Sequence, residues 1–120
     1  MPKTILLVDD DPLVLELLEE VLTTKGYKVL PARDWAEAVQ IAEPRRQQID
    51  LLLTDVVMPA VNGRQLAQCL MQLHPEMKVL YMSGYAEDPV VRHFAASTVH
   101  FLEKPFPKRV LLEKVRQLMG

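Results

Sequence analysis

The chain has 120 residues, the length of one compact domain and too short for two of ordinary size. With 49% apolar and 25% charged residues and a formal net charge of −2, it fits a soluble globular protein and offers no electrostatic case for nucleic acid. No apolar stretch nears the roughly 18 residues of a membrane span, and Met1-Pro2-Lys3 opens nothing like a signal peptide, so no membrane contact is expected and the setting is cytosol. A single cysteine, Cys69, excludes an intrachain disulfide and reads as an ordinary half-buried residue.

Neither repeat nor linker breaks the chain, so residues 1–120 are expected to form a single domain. A first apolar run, Thr4–Val8, has strand length. Asp11 and Pro12 then supply an N-cap and an N1 proline for a helix over Leu13–Lys25, with Gly26 as its C-cap glycine. Val14, Leu17, Leu18, Val21 and Leu22 form its expected core stripe, with Glu16, Glu19 and Glu20 outside it. A strand at Lys28–Leu30 precedes a helix capped by Asp34 that runs to about Glu43, and "EPRRQQ" reads as a solvated loop. Leu51–Thr54 is the third strand, and Arg64–Leu73 a helix that must stop near His74-Pro75. Val79–Met82 follows, then a helix over about Glu87 to Ala96, a strand at Val99–Phe101, and a last helix over Lys108–Met119. That helix sets Leu111, Leu112, Val115, Leu118 and Met119 on one face. Five strands alternating with five helices imply βαβ units, a parallel sheet and helices on both faces. Ligands of such open sheets bind outside the carboxyl ends of the strands.

Those ends collect Asp9-Asp10-Asp11 after the first strand, Asp55 after the third, Ser83-Gly84 after the fourth and Lys104-Pro105 after the fifth. Taken alone, Asp55 is a helix cap, a structural acceptor or part of a site. Together these residues carry a chemistry. Crowded carboxylates repel, by about 4 kcal/mol per pair at 4 Å and an effective dielectric of 20, so a cation must compensate. Mg²⁺, which takes one or two carboxylates, a carbonyl and waters, fits best. Lys104 adds a movable positive charge and Ser83 a hydroxyl, which makes a cradle for a phosphoryl group with Asp55 as the nucleophile that becomes an acyl phosphate.

The runs "ILLVDDDP", "LLLTDVVMP", "LYMSGY" and "HFLEKPF", in this order and over essentially the whole length, resemble the receiver domain of two-component response regulators, similar to the chemotaxis response regulator. The resemblance implies a flavodoxin-like (βα)5 fold, a doubly wound five-stranded parallel sheet of order 2-1-3-4-5 with helices on both faces. It makes Asp55 the phosphoacceptor, with Lys104 and Ser83 as its catalytic partners. Asp10 would bind Mg²⁺ directly, Asp9 partly through water, and the carbonyl of Val57 would be a further ligand beside Asp55; Asp11 is then the helix cap. It further implies a switch in which Ser83 moves toward the phosphoryl group and Phe101 turns inward. The surface of the Glu87–Ala96 segment, last strand and last helix changes with it, and a homodimer through that surface is compatible. The implied partners are a sensor histidine kinase or phosphotransfer protein and a downstream target or output domain; with no DNA-binding helix-turn-helix after Met119 in this sequence, the expectation is either a stand-alone regulator acting through protein contacts or a piece of a longer chain. "YMSGYAED" with "FLEKPF" is similar to receivers attached to hybrid sensor histidine kinases.

Ala60 stands where the commoner family pattern has glycine, Phe101 lacks the hydroxyl of the frequent tyrosine, and Val57 and Tyr85 flank the acceptor where the family tunes dephosphorylation. His74, His93 and His100 have no metal-ligand spacing with one another. Two other functions compete. A pseudo-receiver would keep the fold without the chemistry, against which the full set Asp9, Asp10, Asp55, Ser83 and Lys104 argues. A phosphohydrolase with an aspartyl nucleophile, suggested by Asp9-x-Asp11, would need further catalytic residues. The receiver reading makes the chain a phosphoacceptor that assists its own phosphorylation and dephosphorylation, not an enzyme.

Overall fold

The central strands are continuous apolar runs because both of their faces are covered. In the computed structural model, which describes residues 2–45, 48–56, 63–84, 89, 91–92 and 100–119, β1 (Thr4–Val8), β2 (Lys28–Ala32), β3 (Leu51–Asp55), β4 (Lys78–Ser83) and β5 (Phe101–Glu103) form one parallel sheet. Its order is β2-β1-β3-β4-β5, the doubly wound order expected. Side chains alternate between two cores. Ile5, Leu7, Leu51, Leu53, Leu80 and Met82 face α1 (Pro12–Thr24) and α4 (Lys108–Met119). Leu6, Val8 and Leu52 face α2 (Trp35–Ala42) and α3 (Gly63–Met71) on the other side. Each fully buried Leu or Ile contributes roughly 2 kcal/mol relative to exposure, so the two layers fix the register of the strands that carry the site.

The local signals act as chemistry dictates. Asp11 is extended and its side chain accepts from the Leu13 amide at 3.0 Å; Asp34 does the same for Glu37 at 2.8 Å. Gly26 follows α1 with φ +93°, a conformation glycine adopts without penalty. β2 runs two residues further than expected, through Pro31, which an edge strand tolerates. Within "EPRRQQ", Glu43–Arg45 form a 3₁₀ turn rather than loop, extending α2 by less than a full helical turn.

Two expectations are corrected. In α1 the buried residues are Leu15, Leu18 and Leu22, whereas Leu17 is 60% exposed. Seven Leu and Val residues crowd its 13 positions, so more than one face satisfies the helical period; Leu17 stands about 100° round from Leu18 and off the core. The last strand is Phe101–Glu103 instead of Val99–Phe101, because Leu102 is its inward residue and pairs with Met82. Val99 lies outside the described residues, as does most of the expected helix Glu87–Ala96, of which Pro89, Val91 and Arg92 are helical.

Candidate functional site

β1 and β3 are neighbours, with Val8 paired to Thr54, so the next residues of each, Asp9 and Asp55, come abreast at the carboxyl edge of the sheet. The backbone holds both. The Asp9 amide donates to Ala32 across the end of β2 at 3.2 Å, and the Val56 amide donates to Met82 at 2.9 Å. Asp9 and Asp55 are buried, whereas Asp10 is exposed. The Asp11 amide donates to Asp9 Oδ1 at 2.9 Å, so the residue that caps α1 also orients the first carboxylate.

Lys104 leaves the end of β5, where its amide donates to the Ser83 carbonyl at 2.8 Å. Its ammonium donates to Asp9 Oδ2 at 2.6 Å and to Asp55 Oδ2 at 3.1 Å, bridging the two acids. Burial pulls the ammonium toward neutrality, but the hydrogen bond to Asp9 and the charges of Asp55 and Asp9 outweigh it. The net effect is a pKa raised above its ordinary value, so Lys104 stays charged.

Carboxylate oxygens of Asp9, Asp10 and Asp55 lie within 4.8 Å of one another, the one such cluster of potential metal ligands among the described residues. Three carboxylates against one ammonium leave two negative charges, so a divalent cation would neutralise the set. An all-oxygen donor set with one ligand open to water also suits Mg²⁺, which keeps several waters. The residues present therefore fit the ion.

Ser83 is buried at the end of β4, one residue beyond Met82, the partner of Asp55. Phe101 is half-buried and pairs with Tyr81, away from the carboxylates' own strands. Val57, Ala60, Tyr85 and His93 lie outside the described residues. His74 is buried, with Nε2 3.0 Å from the Ala42 carbonyl, and so joins the ends of α2 and α3. Two supporting groups went unread in the sequence. One is the Asp11 amide, for which the Asp-x-Asp spacing is a signal; the other is the Thr54 hydroxyl, which donates to the Asp55 carbonyl at 3.0 Å.

A parallel five-stranded sheet with a lysine-bridged acid cluster at its carboxyl edge defines a class. Residues 5–116 match the family model for the response regulator receiver domain, and the chain belongs to that family. Receiver domains of this family are signalling domains of two-component systems. Among curated relatives, it is 36% identical over 117 residues to the sensor kinase CckA of Brucella abortus, covering 97% of this chain and 12% of that protein. It is 34% identical over 115 residues to the transcriptional regulatory protein CpxR of Escherichia coli, covering 96% of this chain and 48% of that protein. The chain thus spans less than half the length of either. The solved receiver domain of the hybrid histidine kinase CckA superposes with a TM-score of 0.84 at 34% identity, covering 98% of this chain and 99% of that one. A CheY-like receiver domain protein of Methanospirillum hungatei gives the same TM-score at 30% identity, over 99% of this chain and 94% of that one. No helix among the described residues is long and apolar enough to cross a membrane.

Proposed function

We propose that this chain is a phosphoacceptor switch in a two-component phosphorelay, taking a phosphoryl group from a phosphohistidine onto Asp55. The observation that carries the reading is the Lys104 ammonium shared between Asp9 and Asp55. In the transfer, an Asp55 carboxylate oxygen attacks phosphorus, the nitrogen–phosphorus bond of the donor breaks, and the imidazole leaves with its electron pair. Asp55 is held for this by β3 and by the ladder to β4. Lys104 exchanges a carboxylate partner for a phosphoryl oxygen, and Ser83 donates its hydroxyl to another. Asp9, Asp10 and Asp55 would hold Mg²⁺, with the Val57 carbonyl as the further ligand the family resemblance implies, and the ion would offset the negative charge that attacker and phosphoryl group bring together. Water attack on the acyl phosphate resets the switch, so the domain assists its own phosphorylation and dephosphorylation.

The donor is a sensor histidine kinase or a phosphotransfer protein in the cytoplasm, or a kinase domain of the same polypeptide if the chain is part of a hybrid kinase like the CckA it resembles. The response passes through Ser83 and Phe101 to the face of β5 and α4, where a downstream target or output domain reads it. Residues 1–120 act as the single unit of this switch.

The test is intact mass after treatment with acetyl phosphate and Mg²⁺. A gain of one phosphoryl group, absent from the Asp55→Asn variant and without metal, supports the reading. No gain, either here or with a phosphorylated kinase as donor, returns the chain to the pseudo-receiver.

A further inference from the structure

β3 reaches Asp55 through three leucines and one hydroxyl. All five of its residues, Leu51-Leu52-Leu53-Thr54-Asp55, are buried, and the strand lies between β1 and β4, where Thr54 pairs with Val8 on one side and Tyr81 on the other. Strand alternation turns Thr54 to the same side as Leu52, toward α2 and α3, a space that the equally branched valine would fill. A buried hydroxyl, in contrast, is unfavourable unless it is hydrogen-bonded, so packing alone does not account for threonine here.

Its bond does. The Thr54 hydroxyl donates to the Asp55 carbonyl at 3.0 Å, and the amide of the same peptide unit, the Val56 N–H, donates to the Met82 carbonyl at 2.9 Å. The planar peptide that follows the Asp55 Cα is thus held at both edges, its oxygen from within β3 and its nitrogen from β4. Held at one edge only, it could rock about that single bond and carry the Asp55 dihedrals with it; held at both, it fixes the direction in which the Asp55 side chain leaves the backbone. We propose that Thr54 is a positioning residue for phosphoryl transfer, whose hydroxyl sets the aim of the Asp55 carboxylate through the Asp55–Val56 peptide without touching the phosphoryl group. The assignment rests on the phosphoacceptor function proposed above.

A swing of about 15°, the ordinary scatter of strand dihedrals, moves a carboxylate oxygen roughly 3 Å from its Cα by ~0.8 Å. Attack requires the reacting atoms aligned and about 3–3.5 Å apart, and a misplacement of about 1 Å can cost on the order of 100-fold in rate. A loosened peptide is displaced for only part of the time, so loss of the hydroxyl should slow phosphorylation by about tenfold. Thr54→Val keeps the branched shape and removes the hydroxyl, Thr54→Ser keeps the hydroxyl and removes a buried methyl, and Thr54→Ala differs from Thr54→Ser by the hydroxyl alone. The rate of phosphorylation is followed by intact mass, with acetyl phosphate or, if the parent takes only that donor, a phosphorylated kinase. Extrapolation to saturating Mg²⁺ removes any change in metal affinity, and urea midpoints are measured beside the rates. Thr54→Val and Thr54→Ala should both be slower by about tenfold and Thr54→Ser within about threefold of the parent, although Thr54→Ser unfolds at lower urea than the parent for want of its methyl. A merely structural role would make the rates follow the urea midpoints instead. A Thr54→Val chain as fast as the parent, or a Thr54→Ser chain as slow as Thr54→Ala, would overturn the positioning role and leave the phosphoacceptor function standing. A parent that takes a phosphoryl group from neither donor would overturn that function, and the role of Thr54 with it.

Discussion

Replacing Lys104 with methionine keeps the length of the side chain and removes the positive charge that, among the described residues, bridges both buried acids. At an effective dielectric of 20, ammonium–carboxylate contacts of 2.6 and 3.1 Å are each worth about 5–6 kcal/mol before desolvation. The net loss is smaller. The lysine's own burial penalty disappears with it. Breaking one side of a buried pair costs about 3–5 kcal/mol; discounted for an ammonium that is 20% exposed, about 2–4 kcal/mol is expected here. For a domain of this size that lowers the midpoint of thermal unfolding by about 10 °C. Urea and thermal unfolding in EDTA at pH 7 would measure it. Adding Asp9→Asn to the variant should recover part of the loss, as coupled neighbours do. A variant within about 1 kcal/mol of the parent at pH 7 would refute the argument.

Held by the acid cluster as proposed, Mg²⁺ should act as a stabiliser: at ~100 times its dissociation constant the ion should add about 2.7 kcal/mol, and Asp10→Asn should shrink that shift in paired melts with Mg²⁺ and with EDTA. Lys104 gains its partners on folding and its pKa is raised above 10.5, so its contribution is complete below that pH and is lost as pH rises through the folded value. The gap in urea midpoint between the parent and Lys104→Met should therefore close only above about pH 10.5, and closure at pH 9 would show that the ammonium is not held this way. In α1, Leu18→Ala should cost about 2–5 kcal/mol and Leu17→Ala less than about 1, measured by chemical denaturation; the reverse order would mean the helix is rotated.

The sheet and most of the site were legible because their determinants are local and redundant. β1 ends at Val8 as expected since an unbroken apolar run meets three aspartates, and Asp11-Pro12 leaves little choice for the start of α1. Asp55 stood out because a carboxylate ending a fully buried strand has to be matched by charge from elsewhere. What stayed hidden was set by packing. Which leucines of α1 turn inward depends on the rotation of the helix over β1 and β3, and a segment with seven Leu and Val residues does not specify it. β5 was misplaced by two residues because it is a three-residue edge strand, paired on one side only, where the apolar pattern is shortest. The Thr54 hydroxyl escaped notice because a hydroxyl bonded to its neighbour's carbonyl leaves no charge or motif to read, and the Asp-x-Asp spacing that signals the Asp11 amide reads as a helix cap alone.

The bridge made by Lys104 joins residues 95 positions apart at Asp9 and 49 apart at Asp55. A contact of that span closes nearly the whole chain into a loop, and such contacts form after local ones because the ordering entropy of the intervening residues must be met first. During synthesis the acids are made long before the lysine that holds them. A nascent chain that has reached β4 carries the carboxylates without their ammonium, and the complete charge arrangement exists only once the last strand has docked. The site is therefore also a marker that folding has run to its end.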